Sequence, residues 1–513
     1  MLANRRRPRR FAAITVAAVA LTMCALTCTI AAAGESYGRL SHAGRWITDA
    51  RGRVLIFHGM NVPTKSAPVD SPAALGFNSA HAAFLARLGF NAVRITVERY
   101  AVEPTPGQFD AAYVRSFAKT IRMLARHGIL SLIDFHQDEY GPVFHDNGYP
   151  DWMTVTDGLT NNWQVGFPYQ YFENPALLRA YDHLWANDPD TVGQPLYDDD
   201  AAILTYVVKG LRNEPGILGY EIINEPWPGS QWTSCVSPTG CPALDQSLLG
   251  AYYNRVIPAI RAADKKHIIW YEPFSTFNFG VPTGVMPAAD PNRGFAFHDY
   301  SLCLAAGCNS ADQDAMVMTN ALAQTSATGD ALLQTEFDAV TPLDPPVVTA
   351  QVNLYDRNMI PWMFWAYNSE VVSVNSEGIL LPPTGSNVFW PILDIVDRPY
   401  PQLVSGTPQS WYFDPTTDIF TMEYSTARAD GTGNFPAGSK TRIYVPALQY
   451  PNGYQASITG GIAVSRPGAS LLQVKSCQGA SAVSVTVWPS TGSSTVKSMC
   501  CNGRRTCVHQ IPP

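Results

Sequence analysis

The sequence predicts a (β/α)8 TIM barrel followed by a C-terminal antiparallel β-sandwich. Three observations predict it. Eight short apolar, β-rich runs alternate with longer helix-like segments between about residues 45 and 400. Polar residues recur at the ends of those runs, and after about Ser405 the composition turns to Ser, Thr, Gly, Tyr and Val. Strands that alternate with helices build a parallel sheet, and eight such units read as a closed barrel. An open, doubly wound sheet is the competing reading, but no Gly-x-Gly-x-x-Gly follows the first strand.

The eight strand candidates are residues 54–61, 91–97, 129–136, 217–224, 267–272, 294–298, 332–337 and 361–367. Helices are expected over 74–88, 111–127, 201–212, 246–265, 311–325 and 346–357. Gly89 and Gly128 stand where the first two should stop. In the last part, alternating runs at 419–424, 441–445 and 483–487, separated by turn residues, read as antiparallel strands. A chain of 513 residues exceeds what one core usually organises, so the barrel is assigned to 34–404 and the sandwich to 405–513.

Residues 1–33 combine Arg5-Arg6-Arg7-Pro8-Arg9-Arg10, an apolar run and a small-residue end, the build of a secretory signal peptide, with an uncleaved anchor as the alternative. The expected location is therefore secreted or cell-surface. Eight cysteines remain beyond that segment, an even number that suits disulfides in an oxidising compartment. Cys235 with Cys241 and Cys303 with Cys308 are close enough to pair, leaving Cys477, Cys500, Cys501 and Cys507 to pair among themselves. No Cys-x-x-Cys with His at ligand spacing asks for zinc, so neither a metal nor another cofactor is expected. With 46% hydrophobic and 15% charged residues the chain is globular, and a net charge of −7 offers no basic footprint for nucleic acid.

In such a barrel, polar residues at strand C-termini point into the active-site mouth. Here the second strand carries Arg94, and the third ends Asp134-Phe135-His136-Gln137-Asp138. The fourth ends Asn224-Glu225-Pro226 and the sixth His298-Asp299-Tyr300; the seventh carries Glu336 and the eighth Trp365. A lone polar strand end is usually a loop hydrogen-bonder, but six together point to chemistry. Carboxylates on the fourth and seventh strands face each other across the mouth, and cleaving a glycosidic bond needs an acid and a carboxylate on either side of it. Arg94 and Tyr300 are placed to donate to Glu336 and favour its ionised form, while Asn224 is placed for a sugar hydroxyl. Asn-Glu-Pro occurs a second time, at Asn213-Glu214-Pro215, between a helix and the fourth strand. That position is on the closed face, so Glu214 is read as a turn residue.

These residues resemble glycoside hydrolase family 5, and within it the endoglycoceramidases, which cleave between oligosaccharide and ceramide. The most specific block is Glu221-Ile-Ile-Asn-Glu-Pro-Trp-Pro-Gly-Ser230, followed by Gly59-Met-Asn-Val-Pro-Thr-Lys65, Asp134-Phe-His-Gln-Asp138, Glu272-Pro-Phe-Ser-Thr-Phe-Asn-Phe-Gly280 and Gln334-Thr-Glu-Phe337. The resemblance implies a proton donor at Glu225, a nucleophile at Glu336, and sugar contacts from Lys65, His136, Asp138, Asn224, Tyr300 and Trp365. A retaining endo-β-glycosidase acting on a glycolipid or oligosaccharide is then the expectation. A β-glucanase or exo-β-glucosidase acting on other saccharides or steryl glucosides is the alternative, and a carbohydrate-binding protein without turnover is the non-enzymatic one. Loop residues Trp152, Met153, Trp227, Trp232, Phe274, Phe277, Phe279 and Val281 offer an apolar groove and a contact to the membrane surface, although any single one is read first as cover for the barrel rim.

Overall fold

The computed structural model describes residues 37–510 apart from 66, 288, 302–308, 339–343, 368–370 and 503–505, and for 501–510 it describes the backbone alone. The expected signal or anchor segment 1–33 and the expected Cys303–Cys308 bond lie outside the described residues.

Eight parallel strands close a barrel: His58–Val62, Ala92–Glu98, Leu130–His136, Ile217–Glu221, Ile268–Tyr271, Arg293–Asp299, Ala331–Phe337 and Trp362–Phe364, the last pairing with the first. Every residue in them is buried. Strands covered on both faces read as continuous apolar runs, and that is the signal the sequence carries. The six expected helices are present as Ser79–Arg87, Ala111–Arg126, Leu196–Leu211, Ala251–Ala263, Ser310–Thr328 and Pro345–Asn358. Three start on side-chain caps: Asn78, Asp110 and Asn309 accept from backbone N–H groups of the first turn.

Several boundaries shift by a few residues, the fourth strand ending at Glu221 and not at 224, and two differences go further. The run 54–61 is two strands, because Val54–Leu55 pairs antiparallel with Leu403 and Val404 in the other sheet while His58–Val62 starts the barrel. The intervening Ile56 and Phe57 are also buried, so hydrophobicity never dips where the strand breaks. The segment 246–265 begins as a π-helical turn, Gln246–Gly250, before the α-helix. An unforeseen helix, Pro175–Ala186, lies in the long excursion between the third strand and Leu196.

The remaining strands form one 13-stranded sheet, antiparallel apart from the pairing of Tyr454–Thr459 with Thr495–Asn502. It draws in Ser41–Ala43, Trp46–Thr48 and Val54–Leu55 from before the barrel, and Tyr400–Val404 from just after it. Trp411, Phe413, Phe420, Met422, Tyr454, Val474 and Val485 gather into its core. The sheet meets the closed end of the barrel through Tyr400, whose hydroxyl donates to the Gly89 carbonyl at 2.7 Å, and through Tyr444, whose hydroxyl donates to the Arg87 carbonyl at 3.1 Å. Gly89 ends its helix at φ +72°, and a Cβ there would lie 2.3 Å from the Tyr444 ring, so only glycine fits. Cys235 is bonded to Cys241, and Cys477 to Cys500.

Candidate active site

The centre of the barrel mouth is organised by one cation. Arg94, fully buried on the second strand, donates from Nε to Glu221 Oε2 at 2.5 Å, from Nη1 to Glu336, and from Nη2 to Asn224 Oδ1 at 2.8 Å. Asp134 and Glu272 lie 3.1 and 3.7 Å from Nη2. Four carboxyls around one guanidinium cannot all be ionised in a dry site unless other charges help. Burial, and then the charge of Glu221, push Glu272 well above the ordinary carboxylate range. Glu336 goes the other way: burial opposes its ionisation, but the charges of His298, Arg94, His136 and Lys65 outweigh burial and hold it below its ordinary value. The Tyr300 hydroxyl donates to the second oxygen of Glu336.

Glu225 stands four residues past the end of the fourth strand with φ +40°, a left-handed conformation that a non-glycine residue adopts at a cost of about 1–3 kcal/mol. Several bonds hold it there. Gln137 Nε2 donates to the carbonyls of Asn224 and Glu225 at 2.7 and 3.0 Å, and the Glu225 N–H donates to Glu272 Oε2 at 3.1 Å. The turn aims the side chain into the mouth, where Oε1 receives Asn278 Nδ2 at 2.6 Å and lies 2.7 Å from His298 Nδ1. One oxygen each of Glu225 and Glu336 and a nitrogen of His298 lie within 4.8 Å of one another. That is the short carboxyl spacing of double displacement, not the roughly 6.5–9.5 Å that admits a water.

Beside this pair sits a second group. Lys65 Nζ is 2.5 Å from Asp138 Oδ2 and 4.3 Å above the centre of the Trp365 ring. His136 stacks on Trp365 at 5.6 Å and 14°, with Nδ1 2.6 Å from Asp134 and Nε2 3.2 Å from Asp138. Burial works against a charge on His136, but Asp134 and Asp138 outweigh it and push the ring up to about 10. The ten site residues expected from the sequence thus fall into two adjoining groups. His298, expected among the substrate-binding residues, touches Glu225 and Thr335 and so lies beside the carboxyl pair.

Glu221, Glu272, Asn278 and Thr335 went unassigned in the sequence. Thr335 donates to Glu221 Oε1 at 2.7 Å, completing that carboxylate. Glu221 and Glu272, with His298, are a trio at metal-ligand spacing, as are Glu225, His298 and Glu336, but each is already engaged by Arg94, Thr335, Asn278 or the Glu225 backbone.

Most of the expected groove residues are packing. Met153, Trp227, Phe274, Phe277 and Val281 are buried, because they cover the rim of the barrel. A run of exposed apolar residues lies in the excursion after the third strand, at Leu159, Trp163, Val165, Phe167 and Tyr169, the last two 57% and 58% exposed, with others such as Met286, Met316 and Phe389 scattered elsewhere. Phe167 meets Tyr171 edge-on at 6.2 Å, and Tyr171 lies 5.2 Å from Trp227, two residues beyond Glu225.

Glu214 is on the closed face, where it pairs with Arg122. Glu214→Gln should leave turnover near wild type and cost less than about 1 kcal/mol of stability, as exposed ion pairs do; a dead Glu214 variant in a glycosidase assay would reverse the reading of the two Asn-Glu-Pro sequences.

A TIM barrel with facing carboxyls on its fourth and seventh strands, at this spacing, defines a glycoside hydrolase of the retaining type. The chain belongs to glycosyl hydrolase family 5: residues 59–371 match the family described as cellulase (glycosyl hydrolase family 5), and 398–487 match the glycoside hydrolase family 5 C-terminal domain. It is 29% identical over 449 residues to endoglycoceramidase I of Rhodococcus hoagii, covering 84% of each chain. To the endoglycoceramidase of Hydra vulgaris it is 25% identical over 483 residues, 87% of this chain and 88% of the relative. Among solved structures, the lactosyl-enzyme intermediate of endo-glycoceramidase II from Rhodococcus sp. superposes with a TM-score of 0.68 at 25% identity, over 86% of this chain and 99% of that one.

Proposed function

We propose that this protein is an exported endo-β-glycosidase that releases the intact glycan from the ceramide of a glycosphingolipid. The observation that carries the proposal is the clamped carboxyl pair beside an exposed apolar surface. Glu336 is the nucleophile: Arg94 and Tyr300 both donate to it and keep its lone pairs aimed at one place. Glu225 protonates the leaving oxygen and later activates water, its side chain oriented by Asn278 and His298. Lys65, His136, Asp138 and Trp365 bind the sugar, and Asn224, locked by Arg94 and by its donation to the Gln137 carbonyl at 3.1 Å, presents its amide to the hydroxyl beside the reacting carbon.

The lipid side is supported by the stretch Leu159 to Tyr169, which carries no Lys, Arg, Asp or Glu and joins the site through Tyr171 and Trp227. An exposed patch of that kind suits acyl chains or a membrane surface. Endo-glycoceramidase II from Rhodococcus sp. has been solved as a complex with ganglioside GM3, which makes a glycolipid the first substrate class to try. Export is supported by the basic and apolar N-terminal sequence and by the two disulfides.

The test is incubation with a panel of glycosphingolipids, steryl glucosides and cellulosic glycans, with mass analysis of products and proton NMR of the freshly released sugar. Intact glycan plus ceramide, with the β-anomer appearing first, is expected. Cleavage confined to cellulosic glycans or steryl glucosides would overturn the substrate reading, and initial α-anomer from a β-linked substrate would overturn double displacement.

A further inference from the structure

Tyr300 reaches Glu336 from the first residue past the sixth strand, and what holds it lies on either side of it in the chain. Asp299, the last strand residue, is fully buried; its Oδ2 accepts from the Tyr355 hydroxyl at 3.0 Å, the Ser301 backbone N–H also serves its carboxylate, and its Oδ1 has no hydrogen-bond partner among the described residues. Against this carboxyl lies that of Asp314, on helix Ser310–Thr328 and 3% exposed. Both Asp314 oxygens lie 2.8 Å from Ser301 Oγ, and Ser301 itself is left-handed at φ +51°. Gln351, on helix Pro345–Asn358, donates to Ser301 Oγ at 3.1 Å and to the carbonyls of Asp299 and Asp338 at 3.2 Å each. The residues before and after Tyr300 are therefore tied to two helices, and the carboxyl pair lies at the centre of the tie.

Two buried carboxylates side by side repel, and each needs a donor that the other cannot be. A single proton between them removes both costs, since it turns the orphan oxygen into a partner for Asp314. Among the described residues, the other titratable groups around the pair are the Tyr355 hydroxyl and, across Gln351, Asp338. Burial first, and then the charge of Asp314, push Asp299 well above the ordinary carboxylate range, and burial also pushes Asp314 up.

We propose that Asp299 and Asp314 are a proton-sharing pair of positioning residues that holds Tyr300 on Glu336, so that turnover falls when the pair loses its proton. Loss of that proton leaves two like charges behind Ser301, which then swings away with Tyr300 and takes one of the two donors from Glu336. The proposal rests on the reading of Glu336 as nucleophile.

The test uses Asp299→Asn and Asp314→Asn in the full-length protein, because an amide supplies permanently the hydrogen that the proton supplies in the wild type. The substrate is an aryl β-glycoside with a leaving group acidic enough to depart without Glu225, so that the alkaline fall in kcat does not report the acid. Wild-type kcat should fall at alkaline pH, while both Asn variants should match it at neutral pH and stay flat through that fall. Asp314→Ala should lose about tenfold or more in kcat at neutral pH with KM little changed, as when an oriented donor is lost. Infrared difference spectra, wild type minus each Asn variant, supply a readout free of activity: they should hold one neutral carboxylic-acid carbonyl band, lost with rising pH, while the acid bands of Glu272 and other buried carboxyls cancel. The two Asn substitutions sit on different elements, so misfolding of one leaves the other as the test. An unchanged band would overturn the shared proton, and an unchanged alkaline fall would overturn the positioning of Tyr300. Undiminished turnover by Glu336→Gln would instead overturn the reading beneath the proposal, leaving the infrared result standing.

Discussion

Glu336→Gln is expected to lower turnover by about 10^3-fold or more while leaving the fold intact, the loss typical of removing a nucleophile from a group of residues that act together. The side chain is 3% exposed, so an amide of the same shape repacks nothing. What changes is that Arg94 and Tyr300 no longer hold a charge between them, and the neutral amide that remains is too poor a nucleophile to attack the sugar. Steady-state rates on any cleaved glycoside, set beside an unchanged circular dichroism spectrum and melting temperature, check this. Activity within about tenfold of wild type would remove Glu336 from the role.

Arg94→Met should damage the fold as well as the chemistry. The guanidinium is the shared partner of Glu221, Glu336 and Asp134, all essentially inaccessible to water. Taking it away strands buried carboxylates without a counter-charge, which costs about 3–5 kcal/mol where one member of a buried pair is removed. The cost should shrink as pH falls. Without Arg94 these carboxyls titrate higher in the folded chain than in the unfolded one, so they destabilise once pH rises above their unfolded values and not below them. Urea unfolding of the variant at neutral and at acidic pH checks both statements; a loss under about 1 kcal/mol at neutral pH would show that the arginine does not organise the site.

The barrel was legible because strands buried on both faces write their apolar character plainly, and because its chemistry stands at strand ends. Arg94, Glu225 and Glu336 interrupt or close apolar runs, so each is conspicuous in the sequence. Glu272 closes one too, just past Ile268–Tyr271, but nothing in the sequence separates its supporting place behind Glu225 from a strand end without a role. Asn278 was hidden for a different reason: it lies in a 3-10 turn, Ser275–Phe279, where no periodicity says which way a side chain faces. The loop aromatics show the limit of composition. Trp227 and Phe277 are no less aromatic than Phe167 and Tyr169, but the first two fill the rim and the last two face water, and only tertiary packing decides which.

The sheet that closes the far end of the barrel is shared between the two ends of the chain, and this sets an order of events during synthesis. Val54–Leu55 emerges early, but its partner Leu403 and Val404 follows only after the whole barrel, and that strand in turn needs Lys440–Tyr444. Until then the earliest strands have bare edges, and Tyr400 and Tyr444 have not reached Gly89 and Arg87. Pairings so distant in sequence are slow to form. The nascent barrel therefore stays open at its base until the last quarter of the polypeptide arrives, and a ribosome that stalled short of residue 440 would release a chain with unpaired strands and no lid on its core.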